Sequence, residues 1–127
     1  MKTEFFREGK VLTYMELTQM LGQMIEKNIL SQLDKSTLEK FYVKFFEASY
    51  NKLKEYLEAK NYRVVNEKQG VLTASQIKVL NSSEIWYEAL EKRNTIVEGG
   101  AVLGLEDFMV NRYYDEIKKL VSILDKK

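Results

Sequence analysis

Residues 36–60 read STLEKFYVKFFEASYNKLKEYLEAK, and the reading of this stretch decides the fold. Leu38, Phe41, Tyr42, Phe45, Phe46, Leu53, Tyr56 and Leu57 recur mostly at steps of three and four, the apolar stripe of an amphipathic helix. Ser36-Thr37-Leu38-Glu39 has capping-box form, in which the first hydroxyl accepts from an early backbone N–H and the glutamate reaches back. The pattern predicts a helix running to about Lys60, roughly 24 residues and ~36 Å long at about 1.5 Å per residue.

The same grammar repeats outward from this helix. Upstream, Thr13-Tyr14-Met15-Glu16 is a second capping box, followed by Leu17, Met20, Leu21, Met24 and Ile25 on one stripe. It predicts a helix from about Tyr14 to Lys27 or slightly beyond. Downstream, residues 61–72 break the period. Tyr62, Val64 and Val65 are expected in a short extended piece, with Asn66 and Gly70 supplying turns. Thr73-Ala74-Ser75-Gln76 then predicts a short helix to about Leu80. Asn81-Ser82-Ser83-Glu84 predicts another, carrying Ile85, Trp86, Ala89, Leu90, Ile96 and Val97. Gly99, Gly100 and Gly104 mark a connection, with Gly99 or Gly100 in a left-handed C-terminal cap. A last helix is expected over about Leu105–Leu124, with Phe108, Met109, Tyr113, Ile117, Leu120, Val121 and Leu124 inward. The expected fold class is all-α: an antiparallel bundle of about five helices in a single domain over 1–127, the attachment of residues 1–12 left open.

Composition bounds the chemistry. The chain has 127 residues, 45% of them apolar, which suits one continuous core. Its 20 basic and 19 acidic side chains leave a net charge of +1, too little for a protein that coats duplex nucleic acid or an anionic membrane. Cysteine and histidine are absent, which excludes disulfides, thiolate chemistry, Cys/His zinc sites and a histidine general base. Proline is absent too, where about six would be typical, and that favours uninterrupted helices. No membrane span or secretory leader is legible, so the cytoplasm is the expected location. No cofactor is expected.

Few constellations stand out. Glu84, Glu88 and Glu91 share a helix face at i, i+4 and i+7, a row a hard cation could use. With Lys92 beside them they read better as a solvated acidic face, and no metal is expected. Gly99 to Gly104 lacks the Gly-Lys-Ser/Thr ending of a phosphate loop and reads as a turn between helices. Arginine is scarce, 4 against 16 lysines, so Arg93 and Arg112 draw attention as forks suited to phosphate or carboxylate. Arg93-Asn94 is the sharpest site candidate, near a helix C-terminus.

Ile85-Trp86-Tyr87-Glu88-Ala89-Leu90-Glu91-Lys92-Arg93-Asn94 resembles the Trp-…-Leu-x-x-Arg-Asn stretch of nucleotidyltransferase substrate-binding subunits, helical bundles of the HEPN superfamily. The long helix, with Phe45-Phe46-Glu47 and Leu53-Lys54-Glu55-Tyr56-Leu57, is similar to that family's Phe-rich helix. Thr73 to Lys78 falls where the family has a short helix opening with Ser-Pro, the proline being Ala74 here. From the long helix onward the resemblance covers about two-thirds of the chain. It implies a homodimer that docks a small nucleotidyltransferase, with a cleft near Trp86, Arg93, Asn94 and Glu98 for a substrate or nucleotide. The superfamily's ribonuclease signature ends in histidine, and Glu98 stands there instead. A carboxylate beside an anionic phosphodiester opposes binding, so no catalysis is expected, and Glu98 is expected to pair with Arg93 within or across a dimer. The alternatives are a protein-interaction bundle, such as a small regulator or mobile-element inhibitor, and a divergent HEPN ribonuclease toxin of the toxin–antitoxin kind.

Overall fold

A computed structural model describes residues 14–125. They form α1 (Tyr14–Glu26), a 3-10 turn (Leu30–Gln32), α2 (Lys35–Ala59), α3 (Glu67–Gln76) and α4 (Ser83–Val97). The last helix comes in parts: α5 (Leu105–Phe108) passes through a π-helical stretch (Met109–Tyr113) into α6 (Tyr114–Asp125). The described residues are all-helical, with no strand among them. The expectations for Thr13 and for residues 1–12 lie outside the described residues.

The long helix α2 is the post of the bundle, in contact with α1, α3 and α4. Its buried residues, Phe41, Tyr42, Phe45, Phe46, Ser49, Tyr50, Leu53 and Leu57, widen the apolar stripe into a face that can meet several helices at once. The rings interlock across it. Tyr113 stands 5.5 Å from Phe45, 5.6 Å from Phe108 and 5.7 Å from Tyr42, centroid to centroid. Two buried hydroxyls find backbone acceptors: Tyr42 donates to the Ala89 carbonyl at 2.6 Å and Tyr14 to that of Ile117 at 3.3 Å, each fastening two helices.

Five local expectations are corrected. Helix α2 is capped by Asp34, whose carboxylate accepts from the Thr37 N–H at 2.7 Å, so the helix starts at Lys35 and Ser36 lies inside it. Residues 62–65 form no strand, and Val65 is 68% exposed. Asn66 is the cap of α3, accepting from Gln69 N–H at 2.9 Å, so Thr73-Ala74-Ser75-Gln76 closes that helix and does not open one. Gly70 is inside α3, where a Cβ would strike the Tyr50 hydroxyl. That hydroxyl donates to Asn66 O at 3.1 Å, so the glycine serves the close approach of α3 to α2 and not a turn. The cap of α4 is Ser82, accepting from Ile85 N–H, while the Glu116 carboxylate of α6 accepts from Ser82 N–H at 2.8 Å.

Without proline, the helices stop by one device. After α1, α2, α3 and α4 the residues Asn28, Asn61, Lys78 and Gly99 take positive φ of 57°, 71°, 65° and 91°. In each case the two N–H groups past the cap return to carbonyls of the last turn, as in Gly99 to Ile96 at 3.0 Å and Gly100 to Thr95 at 2.8 Å. This is the Schellman closure, and Gly99 fills its left-handed position as its residue type predicts.

Candidate functional site

Helix α4 has two faces. Trp86, Ala89, Leu90 and Arg93 are buried, while Glu84, Tyr87, Glu88, Glu91 and Asn94 line a cleft of about 770 Å³. The cleft's other walls are Asn66, Glu67 and Lys68 at the start of α3, and Arg112 of the π-helical stretch. Spacings of three and four put the cleft residues on one side of α4, and the buried set fixes which side that is.

The sequence-derived site residues separate in space. Trp86 is wholly buried, its ring 6.0 Å from Phe46 and 6.3 Å from Tyr113, so it supports the helix from behind the cleft. Arg93 is also buried, its side chain 11% exposed. Its Nη2 lies 2.6 Å from Glu67 Oε2, its Nη1 3.0 Å from Glu47 Oε2, and its Nε–H donates to Asn94 Oδ1 at 2.9 Å. The guanidinium also lies 5.4 Å from the centroid of the Phe46 ring. Burial alone pulls this guanidinium toward its neutral form, but the hydrogen bonds and charges of Glu67 and then Glu47 outweigh burial and hold its pKa above the ordinary value.

Asn94 is exposed at the cleft wall. Glu98 is the exposed C-terminal cap of α4, its N–H donating to Asn94 O at 3.0 Å. The expected pairing of Arg93 with Glu98 within the chain is replaced by Glu47 and Glu67, which come from α2 and α3. Composition and spacing gave no hint of Glu47 or Glu67, because each meets Arg93 only through helix packing.

The acidic row behaves unevenly. Glu88 Oε1 takes Arg112 Nη2 at 3.0 Å, across the cleft mouth. Glu84 and Glu91 are exposed, and no ion pair among the described residues reaches them. Lys92, expected to balance the row, places its ammonium 5.0 Å over the Phe108 ring instead. Among the described residues no group of three or more acidic side chains is arranged to hold a metal ion. The lining carries four glutamates against Lys68 and Arg112, so the cleft accepts cations and N–H donors better than anions. No helix of the described residues is long and apolar enough to cross a membrane.

Compared with models of known protein families and with the curated proteins, the chain matches none.

Proposed function

We propose that this chain is a non-catalytic interaction subunit, a cytoplasmic helical bundle whose work is to dock another protein. The HEPN-like resemblance makes a homodimer, with a small nucleotidyltransferase as its partner, the first assembly to look for. The observation that carries the reading is the engagement of Arg93. In the ribonucleases of that superfamily the matching arginine meets a phosphate, whereas here Glu67, Glu47 and Asn94 already occupy its donors. A phosphate at Arg93 would have to displace two carboxylates, each held by a charge-assisted hydrogen bond. Nucleotide binding through Arg93 therefore has no place in this reading.

A second partner class, a target protein held by a small regulator or mobile-element inhibitor, is favoured by the cleft itself, whose surplus of glutamates suits a basic protein surface better than a nucleotide. The two classes separate by isolating the tagged chain from its own cells and measuring native mass and composition. A stoichiometric small nucleotidyltransferase supports the first, and a different defined partner supports the second. RNA cleavage that is lost in Arg93→Ala would overturn the non-catalytic reading, and ATP binding lost in the same variant would overturn the exclusion of nucleotide from Arg93.

A further inference from the structure

Resting on the interaction-subunit reading, we propose that the cleft between α4 and the start of α3 is the docking face and that it receives a basic segment of the partner, with arginines or lysines flanking an apolar side chain. Charge complementarity selects this occupant. Glu84 and Glu91 stand exposed without an ion pair among the described residues, about two helical turns apart on the same side of α4. Tyr87 and Leu90 lie between them in the lining and offer an aromatic ring and an apolar floor.

Arg112 shows the contact the occupant would make. Its guanidinium crosses the cleft to Glu88 at 3.0 Å with both side chains partly open to solvent, 45% and 37% exposed. A partner's cations would meet Glu84 and Glu91 in the same manner and compete with Arg112 for Glu88. Single exposed pairs contribute little, so one isolated cation would not be held. Two or three cations on a segment that also buries an apolar side chain on Tyr87 and Leu90 would be. An anionic occupant is opposed by the same carboxylates.

The test uses the full chain and a defined probe, a 12-residue amphipathic peptide of leucine, arginine and lysine, with a glutamate-for-arginine version as control. Calorimetry measures affinity and amide shift mapping locates the peptide. The expected result is binding of the basic peptide alone, with shifts centred on residues 84–94. Glu84→Gln with Glu91→Gln should weaken it about tenfold or more, and Arg112→Ala should tighten it several-fold by releasing Glu88. Absence of binding, unchanged affinity in the double variant, or shifts centred elsewhere would overturn the proposal. A cellular partner that stays bound to the Glu84→Gln/Glu91→Gln chain would overturn this docking face and leave the interaction-subunit reading intact. RNA cleavage by the full chain that is lost in Arg93→Ala while its helical dichroism persists would overturn the reading itself.

Discussion

Arg93 Nη2 and Glu67 Oε2 lie 2.6 Å apart, and this pair joins the latter part of α4 to the first residue of α3. Glu47 of α2 completes the joint from the other side at 3.0 Å. One guanidinium thus ties three helices beneath the cleft, and its Cζ lies over the Phe46 ring. The planar fork is what permits it, since a lysine ammonium cannot serve two carboxylates and a ring in fixed directions.

Arg93→Ala should therefore destabilise the fold by about 2 kcal/mol, below the range for fully buried pairs because both glutamates are partly exposed. Arg93→Lys should recover only part of this. Glu47→Gln and Glu67→Gln should each cost less than Arg93→Ala, because a neutral amide still offers an oxygen to the fork. Urea unfolding midpoints compare the four variants, and an Arg93→Ala protein as stable as the parent would refute the joint.

Lys78 is the one described left-handed helix end that carries neither glycine nor asparagine. A Cβ at φ of 65° crowds the following carbonyl, a strain of about 1–2 kcal/mol that glycine lacks. Lys78→Gly should raise stability by ~0.5–1 kcal/mol after allowing for glycine's freer unfolded chain. Gly99→Ala should lower it by a similar amount, since nothing but φ opposes a Cβ there. Thermal melts of the two variants would move in opposite directions.

Alkali should unfold the protein through its tyrosines. Burial raises Tyr14, Tyr42 and Tyr113 far above the ordinary value of 10.0, and burial, then Glu67 and Glu58, pushes Tyr50 up to about 12. A raised native pKa means that stability is full below the unfolded value of 10.0 and is lost as pH climbs through the native one. Absorbance at the tyrosinate band should then show these four of the eight tyrosines ionising only as the helical dichroism collapses, above pH 10. Ionisation of all eight with the helices still intact would contradict this.

At the acid end the cap of α2 should report. The Thr37 backbone N–H holds the Asp34 carboxylate below its ordinary value of 3.8. A lowered pKa contributes stability above the unfolded value, and that contribution disappears as pH falls through the native one. The difference in melting temperature between the parent and Asp34→Ala should shrink on acidification below about pH 4. Asp34→Asn, which keeps the accepting oxygen without the charge, should show a flatter acid dependence than the parent.

The helical period was legible in single side chains. Phe41, Tyr42, Phe45 and Phe46 lie where their spacing put them, and Gly99 ends α4 as its lack of a Cβ allows. The π-helical stretch was not legible in this way: the sequence predicts one unbroken helix over about 105–124, although Leu105, Met109, Tyr113, Ile117 and Val121 recur there at strict steps of four. A straight α-helix overshoots a full turn by about 40° at each such step, so only a locally wider turn keeps the residues on one side. The first four are buried and Val121 is half-buried. The caps were harder to read: Asp34 and not Ser36 caps α2, and Asn66 and not Thr73 caps α3, because Asp, Asn, Ser and Thr side chains can all accept from the first N–H groups of a helix.

What the sequence by itself determined is an all-helical chain without thiol, imidazole or proline chemistry, with its long central helix and its unusual arginine at position 93. Only the tertiary structure decided what that arginine does. Glu47 and Glu67 are 46 and 26 positions away along the chain, and no local period links them to Arg93. Their convergence follows from where α2 and α3 pack against α4. The same packing turned Trp86 inward and left Glu84 and Glu91 on an open wall, because a helix has one buried face and its neighbours choose which one.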